Sequence, residues 1–265
     1  MSAAEELRRI AATAHALLDE TDELALEQFR IGAPARRKPN RTWVTDADLA
    51  VERRLRERIG DLFPSHVVEG EEFGGAGSGA AVRWVVDPID ATHNFMRGID
   101  VWATLLALVR DDEPVLGLAS APALGCRWWA IPGDGAWLRR GGEESTLGVS
   151  AVDSLDETQL LHAGVNALDG RVARAARSVW RSRGFGDFWG HMLVAAGSAE
   201  AMVEDGVAPW DMAAPYAIVT AAGGRMTDLD NRPSWTDPRI LSSNGRVHEA
   251  LLRLLGTDLA DGGTA

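Results

Sequence analysis

Cysteine is almost absent from this chain of 265 residues: Cys126 stands alone. That excludes a disulfide within the chain and a thiolate metal cluster, and leaves Cys126 as a core or surface thiol. Long apolar runs are also missing. Val101 to Val109 is the longest, far short of the ~20 residues that span a bilayer. The start, Met1-Ser2-Ala3-Ala4-Glu5-Glu6-Leu7, has neither the basic nor the apolar region of a secretion signal. Both features point to a cytoplasmic protein with no membrane contact. Positive charge is scarce: 27 Lys and Arg face 39 Asp and Glu, a formal net charge of -12. Such a balance repels a phosphate backbone and argues against nucleic-acid binding unless a local basic face exists. Arg36-Arg37-Lys38, Arg53-Arg54 and Arg139-Arg140 are too short and scattered to make one.

What is present is a globular chain, 46% apolar, long enough for one large domain or two compact halves. Its ten tryptophans sit in strand-like runs such as Arg127-Trp128-Trp129-Ala130, which places most of them in the core. A capping box of Ser2 and Glu5 opens a helix running to about Phe29. A second opens at Thr45, carries the stripe Val51, Leu55, Ile59, and stops at Gly60. From Val67 the pattern turns to short β-type runs: Val82–Val86, Trp102–Val109, Val115–Ser120, Cys126–Ile131 and Ala136–Arg139. After about Ser150 the elements alternate. Strands are expected at Gln159–His162 and Ala201–Glu204, and helices at Arg171–Trp180, Phe188–Ala196, before Gly223-Gly224, and at Val247–Leu255. The division expected is an α+β half over 1–148 and an α/β half over 149–265. Gly74-Gly75-Ala76-Gly77-Ser78-Gly79 is the candidate mobile loop.

The most informative segment is Val85-Val86-Asp87-Pro88-Ile89-Asp90-Ala91-Thr92-His93-Asn94. A buried strand runs into Asp87, Pro88 ends its ladder, and Asp90 and Thr92 follow in a tight turn that can open a helix. Carboxylate oxygens suit hard cations such as Mg²⁺, and free amides at a helix start suit phosphate oxygens. Three further acidic signals share the design of a carboxylate at the end of an element: Gly70-Glu71-Glu72, Trp210-Asp211-Met212 and Thr45-Asp46-Ala47-Asp48. Singly, each also fits a structural role. Asp90 and Asp211 are then helix caps, Glu71 and Glu72 surface charge, and Asp48 the acidic member of a capping box with Thr45.

Together, in this order and spacing, Val44-Thr45-Asp46-Ala47-Asp48, Gly70-Glu71-Glu72, Asp87-Pro88-Ile89-Asp90-Ala91-Thr92 and Trp210-Asp211-Met212-Ala213-Ala214 resemble the defining motifs of the inositol monophosphatase family. Within it, Trp102-Ala103-Thr104-Leu105, Ser120-Ala121-Pro122-Ala123-Leu124, Arg127-Trp128-Trp129-Ala130 and Gly186-Asp187-Phe188-Trp189 look most like histidinol-phosphatases of actinobacterial type. The resemblance implies an α+β fold, the layered αβαβα sandwich, usually in a homodimer. It also implies a phosphomonoesterase that uses two or three Mg²⁺ ions, Mn²⁺ being an alternative, on a small soluble phosphorylated alcohol. By this likeness Glu71, Asp87 and the Ile89 carbonyl hold the first metal, and Asp87, Asp90 and Asp211 the second. Glu71 helps with a third. Thr92 and Asp48 orient and deprotonate the attacking water, and the amides of Ala91 and Thr92 grip the phosphate. Lys38 matches a lysine near the site, and Asp187 and Glu204 match positions facing the organic part of the substrate.

Two residues depart from the family. It usually has glycine in place of Ala91 and often lysine in place of His93, both beside the phosphate. Alanine is harmless there at negative φ and damaging at positive φ. His93 is a stand-in for a positive group, a substrate contact or a surface imidazole. The stretch Leu161-His162-Ala163-Gly164-Val165-Asn166-Ala167-Leu168-Asp169 also differs from the serine-rich one of the actinobacterial enzymes. Three functions therefore stay open: a phosphatase for histidinol phosphate, one for another polyol, sugar or nucleoside monophosphate, and a noncatalytic metal or phosphate sensor.

Overall fold

The structure is a computed structural model that describes residues 3–39, 42–75, 80–163 and 170–256. Ser2, most of the glycine-rich stretch (76–79) and residues 164–169 lie outside the described residues, and with them the proposed first cap, mobile loop and serine-poor segment.

Five layers stack on one another. Helices α1 (Ala3–Ile31) and α2 (Asp46–Leu62) form the first. The second is a seven-stranded sheet in simple sequence order: β3 (Val67–Gly70), β4 (Val82–Asp90), β5 (Ala103–Arg110), β6 (Glu113–Ala121), β7 (Cys126–Ile131), β8 (Gly135–Arg140) and β9 (Glu143–Thr146). Only β3 and β4 run parallel. Helices α5 (Asp187–Ala195) and α6 (Pro209–Ala221) make the middle layer. The fourth is a five-stranded sheet built from β10 (Gln159–His162), β11 (Arg181–Gly184), β12 (Ala201–Asp205), β13 (Arg225–Thr227) and β14 (Arg239–Ser243). Its order is β11-β10-β12-β14-β13, with the first three parallel. Helices α4 (Gly170–Arg177) and α7 (His248–Gly256) close the stack. A hairpin of β1 (Ala35–Arg37) and β2 (Trp43–Thr45) and the short α3 (Thr92–Met96) flank the first sheet.

The sequence dictates this layering through side-chain alternation. In β4 and β5, Trp84, Val86, Leu106 and Leu108 face α1 and α2, whereas Val85, Leu105, Ala107 and Val109 face α5 and α6. In the second sheet Leu161, Met202 and Ile240 point inward to the same helices. Their neighbours Leu160, Ala201, Val203 and Leu241 point outward to α4 and α7. Strands covered on both faces are apolar throughout, which is why β5 appeared in the sequence as an unbroken run. Among the described residues no helix is long and apolar enough to cross a membrane.

Several expectations need correction. Helix α2 passes through Gly60 and ends at Leu62, because the chain has to leave the helical region before Pro64. The helix expected over Arg171–Trp180 ends at Arg177, and Arg181–Gly184 forms an edge strand. The tryptophans divide: Trp84, Trp102, Trp128 and Trp235 are buried, most others are half-buried, and Trp180 is exposed. Most consequential, Pro88 does not end its ladder. Asp87 pairs with Leu105 and Asp90 with Ala103, so Pro88 and Ile89 together oppose Thr104 in a β-bulge. Proline has no N–H to lose at that place, and Thr104 Oγ1 donates to its carbonyl at 2.8 Å.

Candidate active site

The bulge decides which way the carboxylates face. Residues three apart on a regular strand point to opposite sides. The extra residue resets that phase: Ile89 packs with Trp84 and Val86 in the outer cluster, and Asp90 joins Asp87 on the other side. Asp211, in the first turn of α6 behind Pro209, approaches from the middle layer. Asp87, Asp90 and Asp211 bring carboxylate oxygens within 4.8 Å of one another. Each is also tied to backbone. Asp87 Oδ1 accepts from Ile89 N at 3.0 Å, Asp90 Oδ2 from Phe188 N at 2.7 Å, and Asp211 Oδ2 from Ala208 N at 2.7 Å. Asp211 is thus both a helix-capping residue and a member of the cluster. Asp90 does not cap α3, whose N-cap position Ala91 holds.

A pocket of about 270 Å³ opens over this cluster, lined also by Glu71, Ile89, Ala91, Thr92, His93, Asp187, Thr42, Trp43 and Gly206. Asp48 is fully buried nearby. Thr45 and Asp48 form the expected capping box, which consumes Asp48 Oδ2, whereas Asp48 Oδ1 has no hydrogen-bond partner among the described residues. Thr92 Oγ1 donates to the Ile89 carbonyl at 3.1 Å. Glu71 and Glu72 are not surface charge. Lys38 Nζ lies 2.7 Å from an oxygen of each, and the Glu72 side chain is only 3% exposed. His93 is exposed on the rim. Glu204 does not line this pocket. Its Oε1 accepts from Asp187 N at 3.0 Å and its Oε2 lies 3.1 Å from His191 Nε2. Asp187 also lines an adjoining cavity of about 330 Å³ walled by Ile99, Val101, Phe185, Trp189 and Asn94.

Two residues that hold the site escaped the sequence. Glu52, fully buried in α2, accepts from Glu72 N at 2.7 Å and Phe73 N at 3.1 Å, and so fixes the loop carrying Glu71. Gly70 leaves room for the Glu52 side chain, because a Cβ there would meet Glu52 Oε1 at 2.1 Å and displace the carboxylate. His191 is the second. In sequence both look like ordinary helix-surface polar residues, since their partners come from distant segments.

Electrostatics marks the cluster as a place for cations. Burial, and then the charges of Glu71, Asp90 and Asp211, push Asp87 well above the usual carboxylate range. Burial, with Asp187 and Asp211, does the same to Asp90. Burial raises Asp48 and Asp211 to about 7 and, helped by the Glu204 charge, Asp187 to about 6. Without a cation these groups hold protons that the unfolded chain, titrating near 4, has released. Their contribution to stability is therefore complete below pH ~4 and lost as pH rises through 6–7. The metal-free protein is expected to melt at lower temperature at pH ~8 than at ~5.5, and saturating Mg²⁺ to raise the melting temperature more at the higher pH. Equal metal-induced shifts would mean that no protons are displaced. The donor set fits a hard cation, being all oxygen and already in need of positive charge.

Ala91 falls on the costly branch of the earlier alternative: its φ is 64° and ψ 45°. A left-handed alanine is strained by roughly 1–2 kcal/mol. Its methyl is buried, which returns about 0.8 kcal/mol. Ala91→Gly is therefore expected to change stability by less than about 1 kcal/mol, whereas a β-branched Ala91→Val loses more than about 2 kcal/mol. Urea unfolding of the pair checks this. A Val variant as stable as the parent would contradict the positive φ.

The fold carries a carboxylate cluster that could hold a metal ion, and the chain's relatives define its class as that of the phosphoric monoester hydrolases. The chain belongs to the inositol monophosphatase family, whose model matches residues 6–259. It is 42% identical over 254 residues to a histidinol-phosphatase of Streptomyces coelicolor, covering 91% of this chain and 95% of the relative. A histidinol-phosphatase of Mycobacterium tuberculosis is 41% identical over 249 residues, again covering 91% and 95%. Among solved structures an IMPase of Thermotoga maritima superposes with a TM-score of 0.83 at 27% identity, covering 94% of this chain and 97% of that one. The layered α+β fold and the phosphatase class expected from the motifs are those found.

Proposed function

We propose that this phosphatase hydrolyses histidinol phosphate with Mg²⁺ in the acidic pocket. The observation that carries the reading is the place of Asp187. It lines at once the pocket over Asp87, Asp90 and Asp211 and the cavity walled by Trp189, Phe185 and Asn94. A phosphate held in the first leaves an ammonium group one carbon beyond the ester carbon beside Asp187, and an imidazole ring in the second. The high identity to two histidinol-phosphatases over nearly the whole chain supports the same substrate.

In this reading Glu71, Asp87, Asp90, Asp211 and the Ile89 carbonyl hold the cations. When bound, the cations neutralise phosphoryl and leaving-group charge and make a nearby water more acidic. The amides of Ala91 and Thr92 orient the phosphate, and Thr92 Oγ1 the water. Asp48, raised to about 7 and with Oδ1 unpartnered among the described residues, is suited to accept the proton of that water near neutral pH. Lys38 balances Glu71 and Glu72 and limits the negative field that an entering phosphate meets. The proposal includes a homodimer working in the cytoplasm, which sedimentation and cell fractionation test.

A second reading, a polyol, sugar or nucleoside monophosphate, is favoured by the departures from the family at Ala91 and His93 on the phosphate rim and along the sequence from Leu161 to Asp169. Phosphate release from histidinol phosphate, inositol 1-phosphate, a hexose phosphate and a nucleoside monophosphate separates the two. Histidinol phosphate is expected to lead in kcat/KM by at least about tenfold, the worth of one charged hydrogen bond of ~1.5 kcal/mol. A lead by any other ester sinks the assignment.

A further inference from the structure

His191 lies in the middle layer, fully buried, on α5. Its Nε2 faces Glu204 Oε2 at 3.1 Å and its Nδ1 faces Ser242 Oγ at 2.8 Å. A carboxylate only accepts, so the Nε2 proton goes to Glu204, and Ser242 can donate to Nδ1. The ring thus links β14, α5 and β12. Such closeness is permitted by Gly190, where a Cβ would meet Phe185 O at 2.5 Å and Met202 Sδ at 2.7 Å.

Glu204 is the consequence of that link. It is 6% exposed, and each oxygen has a partner: one holds His191, the other the amide of Asp187. Asp187 needs holding, because its φ is 58°, a conformation an L-residue adopts only when its surroundings impose it. The next amide, Phe188 N, is held by Asp90. Two successive amides at the start of α5 are therefore gripped by two carboxylates, one in the metal cluster and one fixed by His191.

We infer that His191 is a positioning residue: through Glu204 it fixes the start of α5, and with it Asp187 at the boundary between the acidic pocket and the adjoining cavity. This makes Glu204 a support for the substrate-facing wall, acting through Asp187. The kinetic part rests on the proposed function; the structural part does not.

Amide hydrogen exchange of the metal-free, substrate-free protein tests the structural part. In His191→Leu the amides of Asp187 and Phe188 are expected to exchange at least about tenfold faster, with α2 and β5 unchanged. His191→Gln, which keeps a donor toward Glu204, is expected to return them to within about threefold of the parent. For histidinol phosphate, His191→Leu is expected to raise KM at least about tenfold while kcat falls less than about threefold, and His191→Gln to restore KM. Should the Leu variant fail to fold, Ser242→Ala removes only the outer bond and is expected to give the same local exchange pattern. Exchange that rises uniformly along the chain, or is unchanged at 187 and 188, overturns the inference. So does a fall in kcat without a rise in KM, or a Gln variant that behaves like Leu. If the parent leaves histidinol phosphate untouched, the proposed substrate fails, and the exchange experiment still decides the role of His191.

Discussion

Phosphate release is expected to fall by at least about 10³-fold when excess EDTA strips divalent cations, and to return with Mg²⁺ or Mn²⁺. Two like charges 4 Å apart repel by roughly 4 kcal/mol at an effective dielectric near 20, about three decades in an equilibrium or rate constant. A phosphate dianion entering beside Asp87, Asp90 and Asp211 meets that repulsion more than once unless the cluster is neutralised. The described residues lining the pocket include no serine or cysteine that could take over the attack. Ca²⁺ is expected to inhibit, because its larger, less regular coordination misplaces the water. Full turnover in EDTA would remove the mechanism.

Asp211→Asn and Asp90→Asn are expected each to cost at least about 10²-fold in kcat, since a preorganised charge beside the reacting phosphate is worth about 3 kcal/mol. Asparagine keeps an acceptor oxygen, so Ala208 N and Phe188 N retain their partners. The change removes charge and little else. Because the lost charges are buried among like charges, the metal-free variants are expected to melt at the same or a higher temperature than the parent. Inactivity with a collapsed melting temperature would instead mean that these carboxylates hold the fold. Wild-type turnover would take the residue out of the site.

Much of this was legible in the sequence, for physical reasons that differ by element. The apolar runs of β4, β5 and β6 are unambiguous because both their faces are covered. Edge strands were lost: β11, written Arg-Ser-Arg-Gly, and β9, written Glu-Glu-Ser-Thr, have no buried face to leave a pattern. The four acidic motifs were visible because each follows a strand end or opens a helix. That Asp87 and Asp90 share a side was not, since period-two alternation forbids it and only the bulge opposite Thr104 restores it. The sign of φ at Ala91 depends on that same backbone, so the sequence could pose the question and not answer it. Glu52 and His191 were invisible, because a buried polar residue is distinguished from an exposed one by partners that lie far along the chain.

The ligands proposed for the cations come from the loop after β3, from β4 and from the start of α6, and the last of these lies far along the chain from the other two. An unfolded chain therefore offers a cation Asp87 and Asp90 without Asp211 held beside them, and binds it weakly. Nearly all of the binding free energy falls on the native state, about 2.7 kcal/mol at a hundredfold excess over the dissociation constant. In a cell the consequence is one of turnover. The fraction of molecules open to proteases would follow free Mg²⁺, so the ion would set how long the protein survives as well as how fast it works.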